Sequence, residues 1–291
     1  MSPALFTKAM PALFVLLWST GFIGAKYGLP YAEPFTFLSI RFVLIISILA
    51  GLAVAARAPW PRRPRQFVHL LVSGGLVHAA YLGGVFAAIH HGLPSGMAAL
   101  LVGVQPILTA LVAGPLFGEE IRAKQWLGLL LGLAGVALVL AARNGGLSVD
   151  GLSWVGIAFA LVALLGITVG TLYQKRFGQG MDLRTGSLVQ YVGALLVLLP
   201  VAMTTETMRV DWSLDFVLAL LWLVLVLSLG AITLLMMLIR SGEAARVASL
   251  FYLVPPVTAG LAWLLFDETL SPIGLAGMAL AALGVALVIR R

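Results

Sequence analysis

The stretch from Met97 to Leu140 occurs twice in this chain. Shifted by 149 positions without a gap, it lies on Arg246 to Ile289, and 16 of the 44 positions carry the same residue. Pro106 falls on Pro255, Thr109-Ala110 on Thr258-Ala259, Phe117 on Phe266, Glu119 on Glu268 and Gly128 on Gly277, while the run GVALV at 135–139 repeats at 284–288. A period of half the chain means a duplicated unit, not a stack of short repeats. The expectation is two related units, 1–144 and 145–291, with function placed where they meet.

Each unit is far too apolar for water. Of 291 residues 61% are hydrophobic and 10% charged, against roughly 25% charged in soluble domains. A chain buried in hydrocarbon must satisfy its backbone internally. The apolar runs are long enough for helices that cross a core of ~30 Å. Ten spans are predicted, near 9–28, 35–56, 66–89, 95–117, 123–141, 152–174, 184–202, 214–239, 244–266 and 271–289. The fold class is thus all-α integral membrane, with five helices per repeat. The apolar start resembles a secretory signal, but no small-residue cleavage site follows it, so it is taken as the first span.

Lys and Arg in the alternate connections set the orientation. Fourteen lie on the side of the N-terminus, including Arg62, Arg63, Arg65, Lys175, Arg176 and Arg240; only Lys26, Arg143 and Arg209 lie on the other. Both termini are expected in the cytoplasm. Because five is odd, the two copies then cross the membrane in opposite directions, which puts Glu119 inside and Glu268, beside Asp267, outside. In carriers built this way the substrate sits near the midplane between the repeats.

Several polar or aromatic groups fall at that depth. At 1.5 Å per residue, Trp18 lies roughly 14 Å along its span, His78 and Tyr81 roughly 18–23 Å along theirs, and Gln105 roughly 15 Å along the fourth. Such groups need a cavity or a partner in lipid, which makes them site candidates. His78 and Tyr81 share a helix face, and their counterparts at the 149 shift are Leu227 and Gly230, so only the first unit carries this polarity. Trp18 is too deep for the interfacial belt and either walls a cavity or packs the core. Pro106, and Pro255 with Pro256, stand mid-span, where proline frees a backbone carbonyl and bends the helix; they are candidate hinges with Gly21. Arg41, roughly 9 Å inside the second span near its outer end, is placed to snorkel to the interface; it either holds a carboxylate or stabilises the helix packing. Ser19, and by depth alone Thr168, Ser228 and Tyr252, complete the candidate substrate contacts. Gly128, Gly132, Gly135, Gly277 and Gly284 read as close helix contact.

Rival classes find less support. There is no cysteine, hence no thiolate nucleophile, disulfide or thiolate metal site. The HExxH, GxSxG and phosphate-loop patterns are missing, and His90-His91 has no ligand partner at suitable spacing. No cofactor, metal, nucleic acid or obligate protein partner is expected, only a small-molecule substrate and the bilayer. The only Asp or Glu within a predicted span is Asp215, at the outer end of the eighth, so among buried groups only His78 suits proton coupling. A facilitator, or a carrier weakly coupled through His78, is the expectation.

Trp18-Ser19 with Gly21, Arg41-Phe42, the mid-span Pro106 and Pro255, and the closing GxxxxxxGVALV of both halves resemble the drug/metabolite transporter superfamily, more narrowly its ten-helix EamA-type members. The resemblance covers nearly the whole chain. It implies a multi-pass inner-membrane exporter of amino acids or related metabolites, working by alternating access through a central cavity. One branch exports aromatic amino acids, which Trp18, His78 and Tyr81 would suit by stacking. Small four-helix members that expel cationic drugs use a membrane glutamate, which this chain lacks.

Overall fold

The computed structural model describes residues 3–93, 95–144, 153–241, 243–266 and 271–289. The expectations for Asp267 and Glu268 lie outside them. The described residues are helical apart from short connections and one isolated bridge, Ala32 with Val210. Helices follow one another as ten rods: α1 Pro3–Gly28, α2 Pro34–Ala55, α3 Pro64–His90, α4 95–117, α5 Ala123–Asn144, α6 Trp154–Phe177, α7 Leu183–Thr205, α8 Leu214–Ser241, α9 244–266 and α10 Pro272–Ile289. Eight of these contain stretches long and apolar enough to cross a membrane among the described residues. In α1 the apolar part is the shorter Ala9–Gly21. Trp154, Leu214, Leu264 and Leu196 are exposed around the bundle, as lipid-facing side chains would be. The chain is an all-α membrane protein.

Local chemistry sets the rod ends. Pro34 and Pro64 occupy first-turn positions, where a missing N–H costs nothing. The hydroxyls of Ser153 and Ser213 accept from the Gly156 and Phe216 amides at 3.1 and 3.2 Å, capping α6 and α8. Asp182 caps α7, accepting from the amides of Arg184 and Thr185 at 2.8 and 3.4 Å. Gly118, at φ +69°, closes α4 in the left-handed conformation that glycine adopts freely.

Departures from regular helix recur at the repeat interval. The α4 helix breaks at 103–104, just before Gln105-Pro106, and α9 tightens to a 3₁₀ turn at Leu250–Leu253, just before Pro255-Pro256. The α3 rod widens to a π-helix at Gly75–Gly83 and α8 does so at Leu223–Ala231. Rods α5 and α10 meet at glycine. A Cβ on Gly128 would stand 2.6 Å from the Gly284 carbonyl oxygen, and one on Gly277 would stand 2.8 Å from that of Gly135. Only the missing side chains let these backbones touch.

Candidate functional site

Short π-helical segments concentrate at functional sites because the widened turn re-aims side chains and loosens backbone pairing. Here the segment in α3 carries His78 and Tyr81, and the one in α8 carries Ser228. The His78 imidazole is fully buried and stacked on Tyr191 of α7, with ring centroids 4.3 Å apart and planes 14° from parallel. The Phe42 ring meets His78 at 6.3 Å and 61°. The Tyr191 hydroxyl donates to the Ser228 carbonyl at 3.2 Å. Neither His78 nitrogen has a hydrogen-bond partner.

Arg41 belongs to the same cluster. Its Nε donates to the Ser228 hydroxyl at 2.9 Å, and the residue is 4% exposed. The expected option of snorkelling to the interface is therefore overturned: α8 supplies an acceptor at depth, and the side chain turns inward to reach it. Its guanidinium is close enough to Tyr81, Tyr191 and His78 to act on them electrostatically.

A second aromatic group adjoins it. Trp18 lies nearly parallel to Tyr81, 6.3 Å away and tilted 13°, and meets Phe251 edge-on at 5.3 Å and Phe14 at 5.2 Å. Phe251 also borders a recess lined by Gln105, Thr171 and Ala248, with room for about one water molecule. Gln105 is buried and makes a long bond to Thr109, 3.4 Å. Trp18, Tyr81, Arg41, His78 and Ser228 thus converge from α1, α3, α2 and α8, with Gln105 reached through Phe251.

Other predicted residues are occupied elsewhere. Ser19 donates to the Val15 and Val254 carbonyls at 2.6 and 3.3 Å, and Thr258 donates back to the Ser19 carbonyl at 3.3 Å, so this pair stitches α1 to α9. Thr168 donates to Leu164 within its own helix at 2.7 Å. Tyr252 fills the groove left by Gly132 on α5, and its buried hydroxyl is unpartnered. Gly21 faces Leu227, which a Cβ would approach to 3.1 Å. Pro106, Pro255 and Pro256 stand directly after the helix breaks described above.

Sequence reasoning passed over Tyr191, Phe251 and a buried amide thread. In that thread Ser73 donates to Gln174 Oε1 at 2.7 Å and Gln190 Nε2 donates to the same oxygen at 2.8 Å, leaving Gln190 Oε1 unpartnered. A signal for Tyr191 was present: the 149 shift lays Gln190-Tyr191 on Arg41-Phe42.

On the basic face of the bundle one ion pair joins three helices. Glu119, just past α4, accepts from Lys175 Nζ of α6 at 2.6 Å and from the Ala244 amide that opens α9 at 3.0 Å. The opposite face is tied by Glu206, which accepts from the Phe35 and Thr36 amides at 2.8 and 2.6 Å. Nearby, Glu33 accepts from the Thr207 amide and hydroxyl, both at 2.7 Å, and the Thr207 hydroxyl bond above all lowers its pKa. Among the described residues no three His, Asp or Glu side chains are grouped to hold a metal.

The sequence model of the EamA-like transporter family matches the chain twice, at residues 9–141 and 154–290. The uncharacterized inner membrane transporter YedA of Escherichia coli K12 is 29% identical over 92% of this chain and 87% of its own. A probable amino-acid metabolite efflux pump of Salmonella typhimurium is 26% identical, over 94% of this chain and 91% of its own. A solved crystal structure superposes with a TM-score of 0.82, covering 96% of this chain and 95% of that one at 21% identity, which speaks to the fold.

Proposed function

This chain belongs to the EamA-like transporter family, and on that premise we propose that it exports neutral, above all aromatic, amino acids across the inner membrane. It is a membrane transporter, not an enzyme. In our reading the units 1–144 and 145–291 are inverted repeats that rock about the breaks at Gln105-Pro106 and Val254-Pro255-Pro256, exposing the central cluster to each side in turn. The observation that carries this reading is a buried arginine near two aromatic stacks, Trp18 with Tyr81 and His78 with Tyr191. Such a site offers a cation to a carboxylate and flat apolar faces to a ring. The name of the Salmonella relative points the same way. Trp18, Arg41, His78, Tyr81, Gln105 and Ser228 are our substrate contacts. Ser19, Thr168 and Tyr252 support the helices that carry them.

A cationic drug or metabolite is the weaker alternative, because a fixed buried positive charge repels it. Transport is facilitated diffusion, or weakly proton-coupled through His78. The test is counterflow in proteoliposomes loaded with one unlabelled amino acid at a time, following entry of labelled phenylalanine without an ion gradient. Entry driven by bulky apolar and aromatic amino acids, and lost with His78→Ala and Tyr81→Ala combined, is expected. No entry with any amino acid would overturn the substrate reading.

A further inference from the structure

The buried arginine also sets which end of a substrate is recognised. A guanidinium presents five N–H donors, and among the described residues Arg41 makes one hydrogen bond, from Nε to the Ser228 hydroxyl. The four donors on its terminal nitrogens have no protein acceptor there, and none of the ion pairs among the described residues involves Arg41. Taking a cation out of water without an anion is costly, and a planar fork of this kind matches a carboxylate through two parallel bonds. A second observation is independent of Arg41. On the other side of the chain of contacts through Tyr191, the fully buried His78 has two unpartnered nitrogens and Gln190 has an unpartnered carbonyl oxygen. A neutral imidazole keeps one N–H and one lone pair, so His78 offers one acceptor and the Gln190 carbonyl oxygen another, the complement of an ammonium group.

We propose that Arg41 is the carboxylate-reading residue of the transport site, held in register by Ser228, so that the cargo is a small monocarboxylate whose amino group, where present, turns to His78 and Gln190. This rests on the central cluster being the transport site. Removing the carboxylate from a ligand leaves the buried cation unpaired. A charge-assisted bond of this kind is worth about 1.5–3 kcal/mol, so an ester should bind at least about tenfold more weakly than the acid.

The experiment measures thermal-shift affinities of the detergent-solubilised full chain for L-phenylalanine, L-phenylalanine methyl ester and 3-phenylpropionate, each also used as a competitor in counterflow. Phenylalanine and 3-phenylpropionate should bind, and the ester at least about tenfold more weakly. Arg41→Gln should erase the difference between acid and ester, and Arg41→Lys should restore part of it. Equal affinity of acid and ester for the unaltered chain overturns the proposal, and so does an acid preference that survives Arg41→Gln. If Arg41→Gln fails to fold, the three ligands on the unaltered chain decide alone. The two readings fail separately: 3-phenylpropionate bound through Arg41 while no amino acid is carried removes the amino-acid reading and keeps this one, whereas phenylalanine and its ester carried equally well does the reverse.

Discussion

At the scale of single residues, polar groups here either settle an end of a helix or are stranded inside, and the two kinds answer to different tests. Asp182 is of the first kind. Its hydrogen bonds from the Arg184 side chain, together with those from the amides of Arg184 and Thr185, pull its pKa from 3.8 down to about 2. A carboxyl held below its unfolded value stabilises the folded chain above the unfolded pKa and loses that contribution as pH falls through the folded one. The melting-temperature advantage of the wild type over Asp182→Asn should therefore be full above pH 3.8 and fade towards pH 2; a gap that stays constant across this window refutes the assignment. Asp182→Ala, which removes the cap altogether, should cost about 1 kcal/mol at neutral pH. The stranded residues were partly legible. Depth alone picked out Trp18, His78, Tyr81 and Gln105, because a polar group in mid-membrane needs a reason to be there. Depth also picked out Thr168, whose hydroxyl merely folds back on its own helix, since distance along a span says nothing about direction around it. Tyr191 was missed because a lone tyrosine in an apolar run carries no signal until the repeat is used residue by residue.

At the scale of elements, the glycine seam and the widened turns behave differently. The α5–α10 contact is set by absent side chains, so Gly128→Val should push two backbones apart and cost at least about 1–3 kcal/mol, seen as a lower melting temperature or loss of monodisperse protein in detergent. Gly51 is the control, also helical but with nothing within 4 Å of an added Cβ. Gly51→Ala should raise stability by about 0.5–1 kcal/mol. Equal effects from the two substitutions would remove the seam from the account. The seam was readable in the sequence, since closely spaced small residues on apolar helices point to close approach. The rods themselves were readable from apolar run length, and the breaks in α4 and α9 from proline. The π-helical segments were not. A periodicity argument assumes 3.6 residues per turn throughout, and a local insertion into that rhythm leaves the average unchanged while redirecting His78, Tyr81 and Ser228.

At the scale of the whole molecule, the contact of Glu119 with Lys175 and the Ala244 amide joins the ends of α4, α6 and α9 across the basic face. The pair is mostly buried, with side chains 10% and 18% exposed, so removing one partner leaves the other without its counter-ion and costs more than the ~0–1 kcal/mol of a lost surface salt bridge. Because the chain has no cysteine, Thr171→Cys beside the Gln105 recess makes a single-site probe. Glu119→Gln should raise its labelling rate by a water-soluble thiol reagent from the basic side roughly three- to tenfold. An unchanged rate would mean that the contact does not hold this face closed. The 149-residue interval carries the same three positions to Lys26, Glu268 and Ser95. The sequence thus spells the same charge pair twice. A fastening made of side-chain contacts at helix ends can part without unmaking the helices it joins, a latch and not a weld.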